Sequence, residues 1–434
     1  LHQELFWQGG QAAYRPAGGY ARIAEIVKQI RAERQDHVLF CDCGDTLYGT
    51  YPALKTQGQA LIPILNSLGL DAMTAHWEFA YGPEIFKQRA AELNYPMLAI
   101  NIHSQATKEQ LFPPFSVKEI GGLRIGIVGI ACNIVDKTMP PSFSEGLEFT
   151  LGQEELPPII DILRTQEKVD LIVLISHLGI PQDMQLMSDV QGIDICLSGH
   201  THNRLYKPVL QGKTVVIQSG CHGSFLGRLD LEIEGGSVVD YRHQLIEVAG
   251  NIKPDPMVDD LVRHALVPFQ EELSTVVGKT ATALNRATTL ETTMDNFLLQ
   301  ALLESTGAQM AFSNGWRFGS PIIPGDITVN DLYNMIPMNP LISTVELTGE
   351  EIVAMLEENL ERTFARDPYN QMGGYVKRSL GFNAYINIEN PPGQRVQQVF
   401  VGEELLQPRH YYPTSYVTEQ GVAMLSGMLG AHFI

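Results

Sequence analysis

The stretch Ile193-Asp-Ile-Cys-Leu-Ser-Gly-His-Thr-His-Asn203 organises this sequence, because a short apolar run in it ends at two histidines, His200 and His202. An apolar run of this length that stops at a glycine is typical of a buried strand. Open α/β sheets bind their ligands just beyond the carboxyl ends of such strands. The pattern predicts that His200 and His202 share a loop at a functional site. Taken alone, either could also be an ordinary core or surface histidine.

The bulk composition restricts the class of protein. At 434 residues the chain exceeds one ordinary hydrophobic core, so we expect two domains. The sequence has 44% hydrophobic residues and no apolar run long enough to span a bilayer, so we expect a soluble protein. The formal charge of −19 argues against nucleic-acid binding, which needs clustered Lys and Arg. An anionic substrate would need a local cation, and we expect a metal.

The cysteines and the chain start carry less information. Cys41, Cys43, Cys132, Cys196 and Cys221 are odd in number and form no C-x-x-C pair, so they predict no disulfide framework. We interpret them as small buried residues rather than ligands. The chain begins at Leu1 without Met, which is compatible with a removed signal peptide.

Ligand-type residues recur where predicted strands end. Periodicity predicts helices over 20–34 and 60–68, and strands over 37–41, 98–101, 124–130, 171–176 and 214–220. The residues that follow strands in this first region are Asp45, His76, His177, His200, His202 and His222. A rigid sheet can bring such side chains together at one point. His222 is either part of this site or merely the cap of a turn.

This set of side chains indicates a metal centre. Imidazoles mixed with a carboxylate, without thiolate, suit Mn, Zn or Fe better than Ca or Mg. There are more ligands than one tetrahedral ion needs. The simplest interpretation is two divalent ions bridged by Asp45.

The amino-acid composition of the sequence changes after residue 248. The Gly- and Pro-containing run 249–256 and a helical pattern over 257–273 indicate a linker. We therefore predict a metal-binding domain over 1–248, a linker and helix over 249–275, and a second domain over 276–434. Helices are predicted over 292–303 and 350–364. Aromatic residues are frequent after residue 364, and one or two, such as Phe382, could stack on a planar ring.

Several motifs together resemble the 5'-nucleotidase family over nearly the whole chain. They are Gly199-His-Thr-His202, Gly44-Asp45 and Ser176-His177, in the family's order. The resemblance implies an α/β fold: a four-layer, mixed-sheet metallophosphoesterase sandwich followed by an α/β substrate-binding domain. It also implies that His2 and His202 bind one metal, that His177 and His200 bind the other, and that Asp45 bridges them.

The stretch His76-Trp77-Glu78-Phe79-Ala80 departs from the family, which has Asn-His-Glu-x-Asp here. His76 can replace the Asn as a ligand. The family's His and Asp form a dyad that stabilises the transition state, and Trp77 and Ala80 keep neither group. The variant motif resembles that of the thiosulfohydrolase of bacterial sulfur oxidation, which releases sulfate from a cysteine on a carrier protein.

In the second domain the resemblance implies several substrate contacts. Arg317 matches a substrate-binding arginine of the family, while Tyr416 and Met338 occupy the places of two base-stacking aromatic residues. Arg286 and Phe382 complete the candidates. We expect substrate to bridge the two domains; alternatively, Arg317 is an ordinary surface residue. We predict catalytic roles for Asp45, His76, His222 and Arg317.

The predicted function is metal-dependent hydrolysis of nucleoside 5'-phosphates through an activated water. The first alternative is sulfate release from a carrier protein, which explains Trp77 and Ala80. The second is a protein that binds nucleoside or metal with little turnover. Because family members are commonly exported, the resemblance implies a periplasmic or cell-envelope location.

Overall fold

A computed structural model describes residues 2–8, 11–35, 37–315, 317–338 and 341–417. It divides into two compact units, one of residues 1–136 and 142–275, the other of 137–141 and 276–434. None of the helices in the described ranges is long and apolar enough to cross a membrane.

The elements before residue 276 surround one main sheet. The strands are β1 His2–Gln8, β2 Gln11–Ala17, β3 Cys41–Asp42, β4 Ala72–Met73, β5 Ile102–Ser104, β6 Phe115–Ile120, β7 Leu123–Ile130, β8 Leu147–Phe149, β9 Leu171–Ser176, β10 Ile195–Ser198, β11 Val209–Gln211, β12 Thr214–Gln218, β13 Phe225–Glu234 and β14 Ser237–Glu247. The helices are α1 Tyr20–Arg34, α2 Tyr51–Lys55, α3 Ile62–Ser67, α4 Pro83–Glu92, α5 Val135–Thr138, α6 Leu156–Thr165, α7 Ile180–Asp189, α8 Pro256–Leu266 and α9 Gln270–Leu273.

The main sheet is mixed. Its order is β11-β12-β10-β9-β7-β6, with β7, β9, β10 and β12 parallel and the two edge strands antiparallel to their neighbours. Every residue of β9 is buried, as expected of a central parallel strand covered on both faces.

Successive residues of the main-sheet strands face opposite sides of the sheet, and the elements packed on these two sides form four layers. On β9, Ile172 and Leu174 pack in the core cluster that contains residues of α6 and α7. Leu171 and Val173 face the opposite way and pack against the β13/β14 hairpin. Beyond the hairpin, residues of α1 pack on its residues Leu226 and Ile246. This helix–sheet–sheet–helix order confirms the predicted four-layer mixed-sheet fold.

The local predictions were mostly correct here. Strands end at Ile130 and Ser176 as predicted, and α1 has the predicted bounds, whereas the strand predicted over 214–220 ends earlier, at Gln218. Two strand predictions were wrong. The run 37–41 contributes only the short β3, and 98–101 lies outside the strands because it makes isolated bonds, Leu98 N to Met73 O at 2.8 Å and Ile100 N to Gly129 O at 2.9 Å.

The unit after residue 275 is a smaller α/β assembly. Its strands are β15 Val276–Thr280, β16 Met310–Gly315, β17 Gly325–Thr328, β18 Ile342–Thr348, β19 Tyr375–Leu380, β20 Phe382–Ile386, β21 Val396–Val401, β22 Glu404–Leu405 and β23 Tyr411–Val417. Its helices are α10 Thr293–Thr306, α11 Val329–Met335 and α12 Gly349–Phe364. The central sheet has the order β18-β23-β16-β19, and α12 packs in its main core cluster. The second α/β domain is thus confirmed.

Candidate metal centre

The four parallel strands of the main sheet end in register. Ser176 at the end of β9 is paired with Ile130 of β7 and with Ser198 of β10, and Ser198 is paired with Gln218 of β12. The loops that follow these strands therefore start from one edge of the sheet. This register explains why residues far apart in sequence meet there.

One set of side chains, the Asp45 group, consists of Asp45, His76, His177 and His200. His76 Nδ1 lies 3.0 Å from Asp45 Oδ1, and His177 Nε2 lies 3.1 Å from Asp45 Oδ2. The His200 ring centroid is 5.0 Å from that of His76 and 5.3 Å from that of His177. Both oxygens of the carboxylate thus face imidazoles.

A second set, the His2 group, consists of His2, Glu4, His202 and His222. Glu4 Oε2 lies 3.4 Å from His2 Nε2 and 3.7 Å from His222 Nδ1. The His222 ring is 5.8 Å from the His2 ring and 5.9 Å from the His202 ring. The predicted ligands are therefore distributed over two groups, and His222 belongs to one of them rather than only capping a turn.

The backbone at these residues is unusual. Asp45, His200, His202 and His222 have positive φ angles of 66°, 63°, 59° and 57°. Such left-handed conformations cost free energy for residues with a side chain, and they concentrate at functional sites. The loops after the strands therefore adopt strained turns that place these four side chains.

Glu78 positions the Asp45 group. Its buried carboxylate accepts hydrogen bonds from the backbone N–H groups of Thr46 at 2.6 Å, His76 at 2.7 Å and Leu47 at 3.3 Å. No role was predicted for Glu78 from the sequence, although it lies within the His-Trp-Glu motif. It ties the loop that carries Asp45 to the start of the turn that follows His76.

His177 is oriented by its own hydrogen bond. Its Nδ1 pairs with the backbone carbonyl oxygen of Cys43, which leaves Nε2 directed at Asp45. A histidine whose Nδ1–H is held by a backbone carbonyl presents Nε2 as the atom that binds a metal.

The histidines around Asp45 stabilise the ionised form of its carboxylate. Burial would raise the pKa of Asp45, but the charges of His76 and His177 hold it well below its usual value. Burial lowers the pKa of His76 despite Asp45, whereas the attraction of Asp45 outweighs burial and raises the pKa of His177. Asp45 is therefore ionised, which is the form in which a carboxylate binds a metal.

The His2 group carries a different charge pattern. Burial would raise the pKa of Cys221, but His222 and His202 lower it to about 5. Burial would lower the pKa of His222, but Cys221 and Glu4 raise it to about 10. Cys221 Sγ lies 3.5 Å from His222 Nδ1, so each group favours the charged form of the other. Glu4 was not predicted; its signal is the i, i+2 spacing from His2, which places both on one face of β1.

The residues of the Asp45 group fit a metal ion. Asp45, His76 and His177 can each offer one donor atom, and these atoms lie within 4.8 Å of one another. His76 is 3% exposed, and neither of its ring nitrogens makes a hydrogen bond to a described residue. His76 Nδ1 lies 3.0 Å from Asp45 Oδ1, but at an angle that does not suit a hydrogen bond. A buried imidazole of this kind is explained by a cation that takes its lone pair.

Aromatic rings stand where the family's dyad would be. Trp77 stacks on Tyr48 with centroids 5.1 Å apart and an angle of 15°, and its ring is 5.8 Å from that of His76. Tyr81 and Phe143 extend this aromatic wall at 5.9 Å from Tyr48 and 6.3 Å from Trp77. The backbone N–H of Trp77 donates to Asp45 Oδ1 at 3.0 Å. The indole cannot perform the proton chemistry of an imidazole.

Two predicted substrate contacts are buried and have partners within the second unit. The side chain of Arg286 is 1% exposed and ion-pairs with Asp295 at 3.0 Å, and its Nη1 donates to the carbonyls of Phe318 and Met335. Phe382 is buried in a core cluster, 5.2 Å from the ring of Phe312. This burial and pairing argue against direct contact of either side chain with a substrate.

The remaining candidates lie at more accessible places. Arg317 follows β16 and is half-buried, Met338 lies in a turn after α11, and Tyr416 is a half-buried residue of β23. Tyr416 is paired with Phe312 and Ser343 on the neighbouring strands. Their contact with substrate stays a prediction.

Comparison with known proteins gives consistent relatives. Residues 275–423 match the family described as 5'-nucleotidase, C-terminal domain. The chain is 28% identical to the 5'-nucleotidase of Bos taurus over 90% of this chain and 73% of that one. It is 26% identical to the trifunctional nucleotide phosphoesterase protein YfkN of Bacillus subtilis, over 87% of this chain but only 29% of that longer protein.

A solved structure is similar over most of the chain. The sulfate thiohydrolase SoxB of Thermus thermophilus, solved with glycerol, superposes with a TM-score of 0.90 and 29% identity over 94% of this chain and 76% of that one. Residues 275–423 thus match the 5'-nucleotidase C-terminal domain, and the chain as a whole is similar to 5'-nucleotidases and to a sulfate thiohydrolase.

Proposed function

We propose that this protein is a metal-dependent hydrolase of phosphate monoesters, with nucleoside 5'-phosphates as its substrate class. The observation that carries the proposal is the Asp45 carboxylate, which lies between His76 and His177 with His200 beside them at the ends of the parallel strands. The nucleotide phosphoesterases among the relatives support the substrate class.

We assign the residues as follows. Asp45, His76, His177 and His200 would hold one divalent cation, and His2 and His202, with Asp45 as the shared ligand, would hold a second. Such ions, of manganese, zinc or iron, would polarise the phosphoryl group and generate the nucleophile from water at neutral pH. Glu78 and the Cys43 carbonyl keep the ligands in place. His222, held by Glu4, is the candidate group for contacting the anionic substrate.

The test is a substrate panel on the full chain with added Mn²⁺, added Zn²⁺ or a chelator. We expect phosphate release from nucleoside 5'-monophosphates that is lost on chelation. Asp45→Asn should lower the rate on the order of 10²-fold or more, since it removes a preorganised charge. His103→Gln, at a half-buried histidine of β5 outside both groups, is the matched control and should keep full activity. Metal-loaded protein that releases no phosphate from any nucleotide would overturn the proposal.

We also propose Arg317, Met338 and Tyr416 as substrate contacts, which the same assay examines. Arg317→Ala should lower turnover while the metal content stays unchanged, since Arg317 is not a ligand. Wild-type activity of this variant on every hydrolysed substrate would remove Arg317 from the site.

A second candidate function is sulfate release from a cysteine on a carrier protein. The observation that favours it is the aromatic wall of Tyr48, Trp77, Tyr81 and Phe143 in place of the dyad, and the similar structure of a sulfate thiohydrolase supports it. Sulfate release without phosphate release would favour this function, and binding of nucleoside without either product would favour a binding protein.

We place the protein in the periplasm or cell envelope, by its resemblance to exported members of the family. Fractionation of the natural host, followed by detection of the native protein, tests this location. Recovery only from the cytoplasmic fraction would contradict it.

A further inference from the structure

A thiol lies at the same edge of the sheet as the candidate ligands. Cys132 follows β7 by two residues, and β7 is paired in register with β9, the strand before His177. The donor atoms of His76, Cys132 and His200 lie within 4.8 Å of one another, and Cys132 is 1% exposed. Among the described residues, Cys132 is the one thiol in any such group of three ligand-type side chains.

Hydrogen bonds hold the Cys132 backbone beside His76. The Cys132 N–H donates to the carbonyl of Ala75, the residue before His76, at 2.9 Å. The neighbouring Ala131 exchanges two bonds with the buried Asn101 side chain, at 2.8 and 2.9 Å. The position of the thiol is therefore fixed relative to His76 and is not that of a mobile loop.

His76 lies between two groups of ligand-type side chains. It belongs to both groups of ligand-type side chains, one with Asp45 and His177 and the other with Cys132 and His200. Its buried ring nitrogens make no hydrogen bond to described residues. An imidazole placed between a carboxylate and a thiol, with neither nitrogen hydrogen-bonded, is suited to share a cation with both.

The distances between these donor atoms are close to those of direct ligation. With bonds of about 2.3 and 2.1 Å, a sulfur and a nitrogen ligand of one zinc ion lie at most about 4.4 Å apart. The donor atoms of His76, Cys132 and His200, which all lie within 4.8 Å of one another, are near this limit.

We propose that Cys132 is a thiolate ligand of the cation held by His76 and His200, and that it makes this position prefer zinc to manganese. The inference rests on the proposed metal centre. As the metal–sulfur bond forms, the thiol proton passes to solvent and no oxidation state changes. A soft thiolate among imidazoles favours Zn²⁺ over Mn²⁺, which the remaining oxygen and nitrogen ligands alone would not do as strongly.

Cobalt(II) substitution of the full chain tests the ligation directly. Thiolate bound to Co²⁺ gives a near-ultraviolet charge-transfer band that imidazole and carboxylate ligands do not give. We expect this band in wild-type protein, in Cys196→Ala and in Cys221→Ala, and its loss in Cys132→Ala and Cys132→Ser. Cys196 is the matched control because it is fully buried in a core cluster away from the ligands. Thermal melting of each variant shows that it is folded.

A competition between Zn²⁺ and Mn²⁺ gives a second readout. The ratio of Zn²⁺ affinity to Mn²⁺ affinity should fall by at least about tenfold in Cys132→Ser. Loss of a residue that only hydrogen-bonds to a metal ligand already lowers metal affinity about 10- to 100-fold, and loss of a ligand should cost no less. Bound Co²⁺ without the band, or a band that persists in Cys132→Ala, would overturn the Cys132 ligand alone. Wild-type protein that binds no Co²⁺, Zn²⁺ or Mn²⁺ would overturn the metal centre and this inference together.

Discussion

Glu78 shows how one buried side chain can hold a site whose ligands come from different loops. Glu78→Gln keeps the size but removes the charge and turns an NH₂ group toward backbone N–H donors. Hydrogen bonds to charged groups contribute about 1.5–3 kcal/mol each, so we expect a loss on the order of 3 kcal/mol in the free energy of unfolding. We also expect a reduced metal content.

Chemical denaturation and metal analysis check the Glu78 prediction. Glu84→Gln is the matched control, because Glu84 is 86% exposed and pairs with the exposed Lys87. Equal stability and metal content of the two variants would show that Glu78 does not support the loops.

The buried carboxyl of Asp183 should make the stability of the protein depend on pH. This carboxyl is fully buried on α7, and burial raises its pKa to about 6 although the hydroxyl of Ser176 donates to it at 2.6 Å. The pKa in the unfolded chain is about 3.8. The folded state thus binds this proton more tightly, so its stabilising contribution is complete below pH 3.8 and is lost as pH rises through 6.

Asp183→Asn cannot lose this proton. Between pH 4 and pH 7 we expect the stability of metal-free Asp183→Asn to rise relative to wild type by up to about 3 kcal/mol, at about 1.4 kcal/mol per pKa unit. Asp161→Asn, at an exposed position of α6, is the control. A difference between variant and wild type that is the same at both pH values would refute the prediction.

At the scale of an element, β7 depends on a close backbone approach. A Cβ on Gly129 would collide with the carbonyl oxygen of Leu98, a backbone atom that cannot move alone. A Cβ on Gly126 of the same strand would meet the Leu163 methyl groups at 3.0 and 3.1 Å and a Val169 methyl group at 3.4 Å, all of them side-chain ends. The two glycines therefore differ in what a methyl group would displace.

We expect Gly129→Ala to cost about 3 kcal/mol or more and Gly126→Ala about 1 kcal/mol, because flexible side-chain ends can shift and a paired backbone cannot. Urea unfolding of both variants measures this. Similar losses would mean that the Leu98 segment adapts. Because the ends of β7 and β9 are paired, we also expect weaker metal binding in Gly129→Ala.

At the scale of the whole molecule, the unit after residue 275 contains its own buried charge cluster. Asp295 is fully buried and pairs with Arg286 at 3.0 Å and Arg378 at 3.1 Å, whose side chains are 1% and 2% exposed. Asp295→Ala would leave two buried guanidinium groups without their carboxylate. We expect a loss of about 3–5 kcal/mol in the stability of this unit.

Asp326→Ala is the control for Asp295, since Asp326 is half exposed and pairs with Lys279 at 3.2 Å, an interaction worth under about 1 kcal/mol. Metal content should not change in either variant, because all the candidate ligands lie before residue 276. Loss of metal from a folded Asp295→Ala protein would contradict that assignment.

The amino-acid sequence by itself determined the α/β class, the four-layer fold through the family resemblance, and the strand ends at which His177 and His200 lie. These features depend on local patterns: an apolar run followed by a ligand-type residue needs no knowledge of distant contacts. Local periodicity failed at residues 98–101, where isolated hydrogen bonds to Met73 and Gly129 replace a strand ladder.

Only the tertiary structure decided how the side chains are partnered. It places the histidines in two groups and brings Glu4, Glu78 and Cys132 next to them. It also buries Arg286. The physical reason is that burial and pairing come from residues far apart in the chain: Asp295 meets an arginine 83 positions away, and Cys132 bonds to Ala75. A sequence pattern shows which groups could bind a ligand, whereas the packing of distant segments decides which of them are already occupied.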